Sequence, residues 1–349
     1  MEEEIEYDDL KFQRFNESLD ESGAYNIGGI DFWPSRILYE MEIEVYKEAW
    51  KDFEDAEFEK LKDTIYNQYP SCIAYNYRLS EKGEGASDPV RKLLHLKDTW
   101  ESIVFVLYAI VWGEIRFKSI DLKAAQIIIA TELNGNPIFK NFNTDRLITD
   151  ALRTKILNIK AVIHYSKANN LGLKSENIEL GLLDKLLELQ DIRNDISHHT
   201  TPTNDEAEAE LKLVIPLFEK MLVLTEFLKD CKILRFESFS TKCRCEEFNG
   251  HYLNKEFDDY DFDVNQAYVL GLGKEQLFIN WEDEVFSLSP FLHYHKDGVG
   301  RESYLSVFKG KKDGKYRFEP ITKRDEVTFD LLQARFDLEQ AKIINLIVP

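Results

Sequence analysis

Hydrophobic positions along this chain follow two periods. From about residue 35 to residue 234 they recur at spacings of three and four, the signature of amphipathic helices. Beyond that they fall in short runs rich in aromatic and β-branched residues, as in strands. The clearest helical run covers residues 89–117. There Leu93, Leu96, Trp100, Ile103, Val104, Leu107, Ile110 and Val111 form one broad apolar face. Asp88 occupies its N-cap position and Pro89 its first turn. An earlier helix is predicted over residues 35–66, with Met41, Val45, Trp50 and Phe53 inward and a face dense in Glu and Asp outward. Further helices are predicted over residues 122–133 and over about 144–168, the latter with Leu152, Ile156, Ile159 and Ile163 inward. Another begins near Leu182. A last one covers 204–234, with Leu213, Leu217, Met221, Leu224 and Leu228 inward; Pro216 is expected to kink or divide it.

Gly28-Gly29, Trp33-Pro34, Tyr69-Pro70 and the stretch from Asn134 to Pro137 punctuate these runs. Asn169 to Gly172 suits a left-handed helix cap. Residues 73–79 read as a short extended segment, and the glycine-rich, charged stretch 80–88 as a loop. Residues 1 to about 25 are acidic and polar and read as an arm. Strands are predicted at 266–272, 275–280, 285–292, 304–309 and 316–321, with a tight hairpin at 312–315. A final helix is expected over 326–342, with Phe329, Leu332 and Phe336 inward. The resulting fold class is α+β. An acidic arm and N-terminal helix (1–66) precede a helical bundle (67–235) and a smaller β-rich C-terminal domain (236–349).

Charge and composition narrow the function classes. A net charge of −20 over 349 residues argues against a general nucleic-acid coat, because phosphate contacts need Lys and Arg. It leaves room for a nuclease with a small basic cleft. Four cysteines are too few for a disulfide scaffold at this length. The opening is acidic where a secretion signal is basic, and the most apolar run, 103–112, is too short to cross a bilayer. A reducing, cytoplasmic setting without a membrane partner is expected.

Candidate chemistry is densest in residues 182–200. Leu182, Leu186, Leu189, Ile192 and Ile196 share one helical face, and Arg193, Asn194, Asp195, Ser197, His198 and His199 lie beside it. Arg193, Asn194 and His198 spell R-N-x-x-x-H. RNA carries its own nucleophile, the 2′-hydroxyl. Its cleavage needs a base, an acid and positive charge for the developing phosphorane. Histidine titrates near neutrality and arginine grips phosphate with two donors. On an uninterrupted helix, positions five apart lie about 140° apart, so Arg193 and His198 converge only partly. Either the helix ends near Ser197 or two protomers each supply one motif. Arg and His also suit an ordinary helix end, which Thr201-Pro202 would follow.

The string resembles the signature of the HEPN superfamily, an Arg, a polar residue and, after four to six intervening positions, a His. His198 fits the shorter spacing, and His199 fits as well. The resemblance covers roughly residues 88–234. It implies a helical bundle, a homodimer with a composite active site, and metal-independent cleavage of tRNA or mRNA without a cofactor. It also implies a toxin or antiviral-defence role, restrained or triggered by a protein partner. Some members are instead non-catalytic interaction or nucleotide-binding modules. Arg193, Asn194 and His198 are the catalytic candidates. His199 and Glu101 are supporting candidates, Glu101 through a pairing with Arg193.

A basic stripe, Arg153, Lys160, His164 and Lys167, falls within about 60° on the predicted helix 144–168 and is the candidate RNA-binding surface. Other constellations are weaker. Cys243-x-Cys245 with His251 lacks the spacing of a zinc knuckle, so no metal is expected there. His293-x-His295 would place two imidazoles on one strand face. Asp258, Asp259, Asp261 and Asp263 lack the spacing of a calcium loop. No G-x-x-x-x-G-K-[ST] or G-x-S-x-G string occurs.

Overall fold

In the computed structural model, the helix predicted at 89–117 is the spine of the larger part of the molecule. The structure describes residues 9–19, 25–131, 137–197, 202–252, 256–273, 276–282, 284–296, 303–312, 315–320, 327–328 and 341–347. The chain forms two compact units, Met1–Asp63 and Thr64–Pro349.

The first unit holds α1 (Asp9–Leu19), a hairpin of β1 (Tyr25–Ile27) and β2 (Ile30–Phe32), α2 (Pro34–Met41) and most of α3 (Ile43–Gln68). Gly28 and Gly29 both take positive φ, +66° and +85°, which a two-residue hairpin turn of this hand requires. The arm expected before residue 25 is instead helical over Asp9–Leu19. Phe15 on that helix is fully buried against Tyr46 and Phe53, and this apolar contact offsets the polar composition around it. The helix predicted at 35–66 is broken at Glu42 into α2 and α3. That break turns Met41 and Val45 outward, 77% and 44% exposed, and brings Tyr46 inward in their place. Trp50 and Phe53 pack inward as expected.

The second unit continues with α4 (Ser71–Lys82) and α5 (Pro89–Lys118). Residues 73–79 are therefore helical, not extended. Ile73, Tyr77 and Ser80 recur at helical spacing and are buried, and α4 packs along α5, so tertiary contact overrides the local alternation. The Asp88 side chain accepts a hydrogen bond from the Arg91 amide at 3.0 Å, capping α5 as the sequence predicts. Asp88→Ala should cost about 1 kcal/mol of stability, read as a lower urea midpoint at unchanged slope. Every residue of α5 from Thr99 to Ile115 is buried, because α4, more helices and two sheets surround it.

Residues 122–131 do not form the expected helix. β3 (Gln126–Thr131) pairs with β4 (Pro137–Asn141), as the β-branched run Ile127-Ile128-Ile129 favours; residues 132–136 lie outside the described residues. The helix predicted at 144–168 appears as α6 (Thr144–Leu147) and α7 (Leu152–Asn169), with Leu152, Ile156, Ile159 and Ile163 buried. Asn170 caps α7 in the left-handed conformation. α8 (Leu180–Ser197) and α9 (Asn204–Val223) follow. Pro216 lies inside α9, which nevertheless continues as one helix. Leu213 is 66% exposed instead of inward, while Leu217 and Met221 are buried. The predicted extension to 234 fails: a 3-10 turn at Glu226–Asp230 leads into β5 (Cys231–Phe239), whose partners are distant strands that the local pattern does not encode.

The remaining elements are β6 (Cys243–Glu247), β7 (Glu256–Tyr260), α10 (Gln266–Leu270), β8 (Leu277–Trp281), β9 (Glu284–Ser287), β10 (Leu292–Lys296), β11 (Ser303–Lys312), β12 (Lys315–Pro320) and β13 (Val327–Thr328). The fold is thus mixed α+β, with helices followed by antiparallel sheets. One sheet runs β7-β6-β5-β8-β9 and another β10-β11-β12-β13. Residues 266–270, expected as a strand, form α10, and Val269 supplies its inward contact. Lys312 pairs with Lys315 across the expected hairpin. Residues 327–328 are a strand and 341–347 a helix. Phe329, Leu332 and Phe336 lie outside the described residues.

α5 contacts α4, α7, α8, α9, β9, β10 and β11, so helices and sheets share one core. Gly113 allows one close approach: a Cβ there would lie 2.7 Å from the Ser287 carbonyl oxygen. Arg116 donates to the Ser287 and Ser289 carbonyls at 3.0 and 2.7 Å. Glu114, fully buried, accepts from the Lys174 and Ser175 amides at 2.6 and 3.0 Å and from the Lys118 ammonium at 2.8 Å, fixing the segment that leads into α8.

Candidate functional site

Arg193 and Asn194 belong to the C-terminal part of α8, whose span ends at Ser197. Leu182, Leu186 and Leu189 on that helix are buried as the period demands, and α8 packs on α5, α7 and α9. The Arg193 and Asn194 side chains lie outside the described residues, as do His198 and His199 entirely.

The basic stripe on α7 is paired with acids of α8. Arg153 meets Asp191 at 2.8 Å, and Lys160 meets Asp184. The order of the two pairs reverses along the two helices, so α7 and α8 run antiparallel. Burial, with the Lys160 and Lys167 charges beside it, holds the His164 imidazole below its ordinary pKa, so it is neutral at pH 7. Two of the four candidate RNA contacts are thus engaged by carboxylates and a third carries no charge. The sequence held this signal: Arg153 and Lys160 are seven apart, and so are Asp184 and Asp191, matching two helical turns on each side.

Glu101 is buried and ion-paired with Lys309 of β11 at 3.1 Å and Lys97 at 3.4 Å. Lys309 also bonds Glu319 of β12 at 2.8 Å and lies 4.9 Å from the centroid of the Phe105 ring. Burial opposes its charge, but Glu101 and Glu319 hold its pKa above the ordinary value. Glu101 and Lys309 border a cleft of about 450 Å³ between α4, α5 and the β11-β12 hairpin.

Behind Phe105 sits a group the helical pattern did not single out. Lys155 of α7 is fully buried. Its ammonium donates to the Thr149 carbonyl and lies 4.9 to 5.7 Å from the ring centroids of Tyr108, Phe308 and Phe105. Burial pushes its pKa down to about 7, with Lys309 lowering it further and Asp150 raising it. Its sequence signal is its place between Leu152 and Ile159 at spacings of three and four, inside the apolar stripe.

The other constellations resolve into structure. Cys243 and Cys245 are buried on β6 in an apolar cluster, and burial raises both thiol pKa values, that of Cys245 to about 12. His251 places Nδ1 2.7 Å from the Tyr66 carbonyl oxygen. Among the described residues no three His, Cys, Asp or Glu side chains converge on a metal position. His293 is buried with its ring 5.8 Å from that of Phe318, and the His295 side chain lies outside the described residues. Asp258 and Asp259 belong to β7, where Asp259 meets Arg244 at 3.8 Å. Among the described residues no helix is long and apolar enough to cross a membrane. Comparison with protein-family models, with curated proteins and with solved structures finds no match for this chain.

Proposed function

We propose that the chain is a metal-independent endoribonuclease of the HEPN type. The observation that supports this reading most is the placement of Arg193-Asn194 near the end of α8, a helix packed among α5, α7 and α9. His198 lies outside the described residues, and a helix that ends before it is the first of the two converging geometries. A second protomer supplying its own motif satisfies the other, and a homodimer is part of the proposal.

The chemistry balances without a cofactor. A base takes the proton of the 2′-hydroxyl, and the 2′-oxygen bonds to phosphorus. The bond from phosphorus to the 5′-oxygen breaks, and an acid protonates that leaving oxygen. The products are a 2′,3′-cyclic phosphate and a 5′-hydroxyl. His198 serves as base or acid, with His199 as the alternate. Arg193 carries the charge of the phosphorane, and Asn194 orients the phosphate. Glu101 is ion-paired with Lys309 and Lys97, and the Arg193 side chain it would support lies outside the described residues. The substrate class is tRNA or mRNA, and an enzyme of this kind in a toxin or antiviral setting needs a protein partner that restrains or triggers it.

A second reading is a non-catalytic HEPN-like interaction module. The pairing of Arg153 and Lys160 with Asp191 and Asp184 favours it, because the surface that would track phosphates is already compensated. The deciding experiment incubates the purified full chain with tRNA and total RNA in excess chelator and analyses product ends. Cyclic phosphate ends that disappear in Arg193→Ala support the nuclease. Activity unchanged in that variant removes the motif from the reaction.

A further inference from the structure

We propose that the exposed elbow between α2 and α3 is a docking surface for a cationic amphipathic helix of a protein partner. The inference is independent of the nuclease reading. α2 ends at Met41 and α3 begins at Ile43, with Glu42 between them off the helical conformation at φ −143° and ψ 67°. The bend is held from within. The Glu42 amide donates to the Leu38 carbonyl at 2.7 Å, and the Tyr46 amide donates to the Glu42 carbonyl at 3.0 Å. Leu38 and Tyr46 belong to the apolar cluster around Phe15. Every residue between them, 39–45, is exposed. Along that stretch Tyr39, Met41, Ile43 and Val45 alternate with Glu40, Glu42 and Glu44.

Single exposed apolar residues are ordinary on a protein surface, but a cluster of them rimmed by polar groups marks an interaction site. Among the described residues fourteen large apolar side chains are exposed, and five of them are Ile37, Tyr39, Met41, Ile43 and Val45. Charge decides what covers them. Residues 1–63 hold 20 Asp and Glu against 7 Lys and Arg, −13 of the chain's −20. Glu44 meets Lys47 at 3.2 Å, a pair already counted in that balance. The selection rests on the excess of acids and not on any one open carboxylate. Such a field repels an anionic lipid surface and the same face of a second copy. It attracts a partner that carries Lys and Arg beside its own apolar groups. The elbow offers no edge for an added strand, since Glu42 at the break spends both its backbone groups within the two helices. An amphipathic helix presents apolar anchors along one stripe with cations flanking it. The methylene stems of those cations cover apolar surface while their heads reach the acids.

The test is fluorescence anisotropy of a labelled synthetic helix of about fourteen residues, leucine along one stripe and lysine elsewhere. It is titrated with the full chain at about 0.15 M salt, where charges beyond roughly 8 Å are screened. One saturable site is expected. Met41→Ser and Val45→Ser should each weaken it about tenfold, through loss of one apolar anchor. Both positions are exposed, so the substitutions spare the core. Leu213→Ser, also exposed but on α9, should leave the affinity unchanged. Exchanging lysine for glutamate in the peptide should abolish binding. Absence of saturable binding overturns the proposal, as does unchanged affinity in Met41→Ser. Equally tight binding of a peptide of the same composition with its leucines spread over all faces also overturns it, since net charge alone would then suffice. A dimer of the free chain that Met41→Ser dissociates would assign the face to a second copy instead. Binding to phosphatidylcholine vesicles that Met41→Ser abolishes would assign it to lipid.

Discussion

Alanine at His198 should lower chelator-resistant RNA cleavage by about 10²- to 10⁴-fold, the contribution of one positioned general acid or base. Arg193→Ala should cost about as much, since it removes the charge that meets the phosphorane. The two losses should not multiply, because both groups act in one transition state. Single-turnover rates on a short RNA separate the cases. A tenfold or smaller effect of both substitutions would mean that the catalytic groups lie elsewhere. His199→Ala distinguishes the neighbouring imidazoles: the reacting one shifts the pH profile, and the other leaves it in place. If the site is shared between protomers, mixing the Arg193→Ala and His198→Ala chains should restore part of the activity. Neither homodimer would then hold an intact site, while a heterodimer could assemble one from complementary halves.

The second large effect concerns stability and not catalysis. Lys155→Met should stabilise the protein at pH 7 by on the order of a few kcal/mol, because burying an ammonium carries a desolvation cost that an apolar side chain of similar volume does not. The gain should shrink as pH rises. The Lys155 pKa falls from its ordinary 10.5 to about 7 in the folded chain. Between those values the unfolded chain binds the proton and the folded chain does not, so stability increases with pH across that window. Below about pH 7 both states are protonated and the cost of burial stays constant. Asp150 raises this pKa and Lys309 lowers it, while the Thr149 carbonyl and the three ring faces solvate the ammonium in part. Urea unfolding of both proteins at pH 7 and near pH 10 reads the difference. Parallel stability curves would mean that Lys155 keeps one protonation state throughout.

The sequence was legible where burial follows a single helical period. α7 and α8 were found because one stripe of each faces a core, α5 because its long apolar run keeps the helical period, and Asp88 because capping is local. Long-range pairing was less visible. Residues 73–79 alternate like a strand but are buried against α5, while β5 begins inside what reads as a continuing helix because β6 and β8 flank it. The α10 segment has aromatic and β-branched residues, yet a short helix there seats Val269 in the core with Tyr268 packed beside it. For the candidate site, R-N-x-x-x-H could be read directly, whereas the state of the basic stripe depended on acids of the next helix. The pairing of Glu101 with Lys309, 208 positions later, is invisible to any local pattern.

The all-round burial of α5 bears on how this chain can change over time. In most helical bundles the outer face of a helix meets water, so the bundle can be exchanged between proteins as a cassette. Here the same helix that touches α7, α8 and α9 also carries β9, β10 and β11, with Gly113 admitting the Ser287 carbonyl and Arg116 holding that carbonyl and the one at Ser289. Transplanting residues 67–235 alone would bare that side of the helix to solvent and invite aggregation. Descent should therefore have kept the helices and sheets together, and insertions should be tolerated at the rim loops before any cut between them.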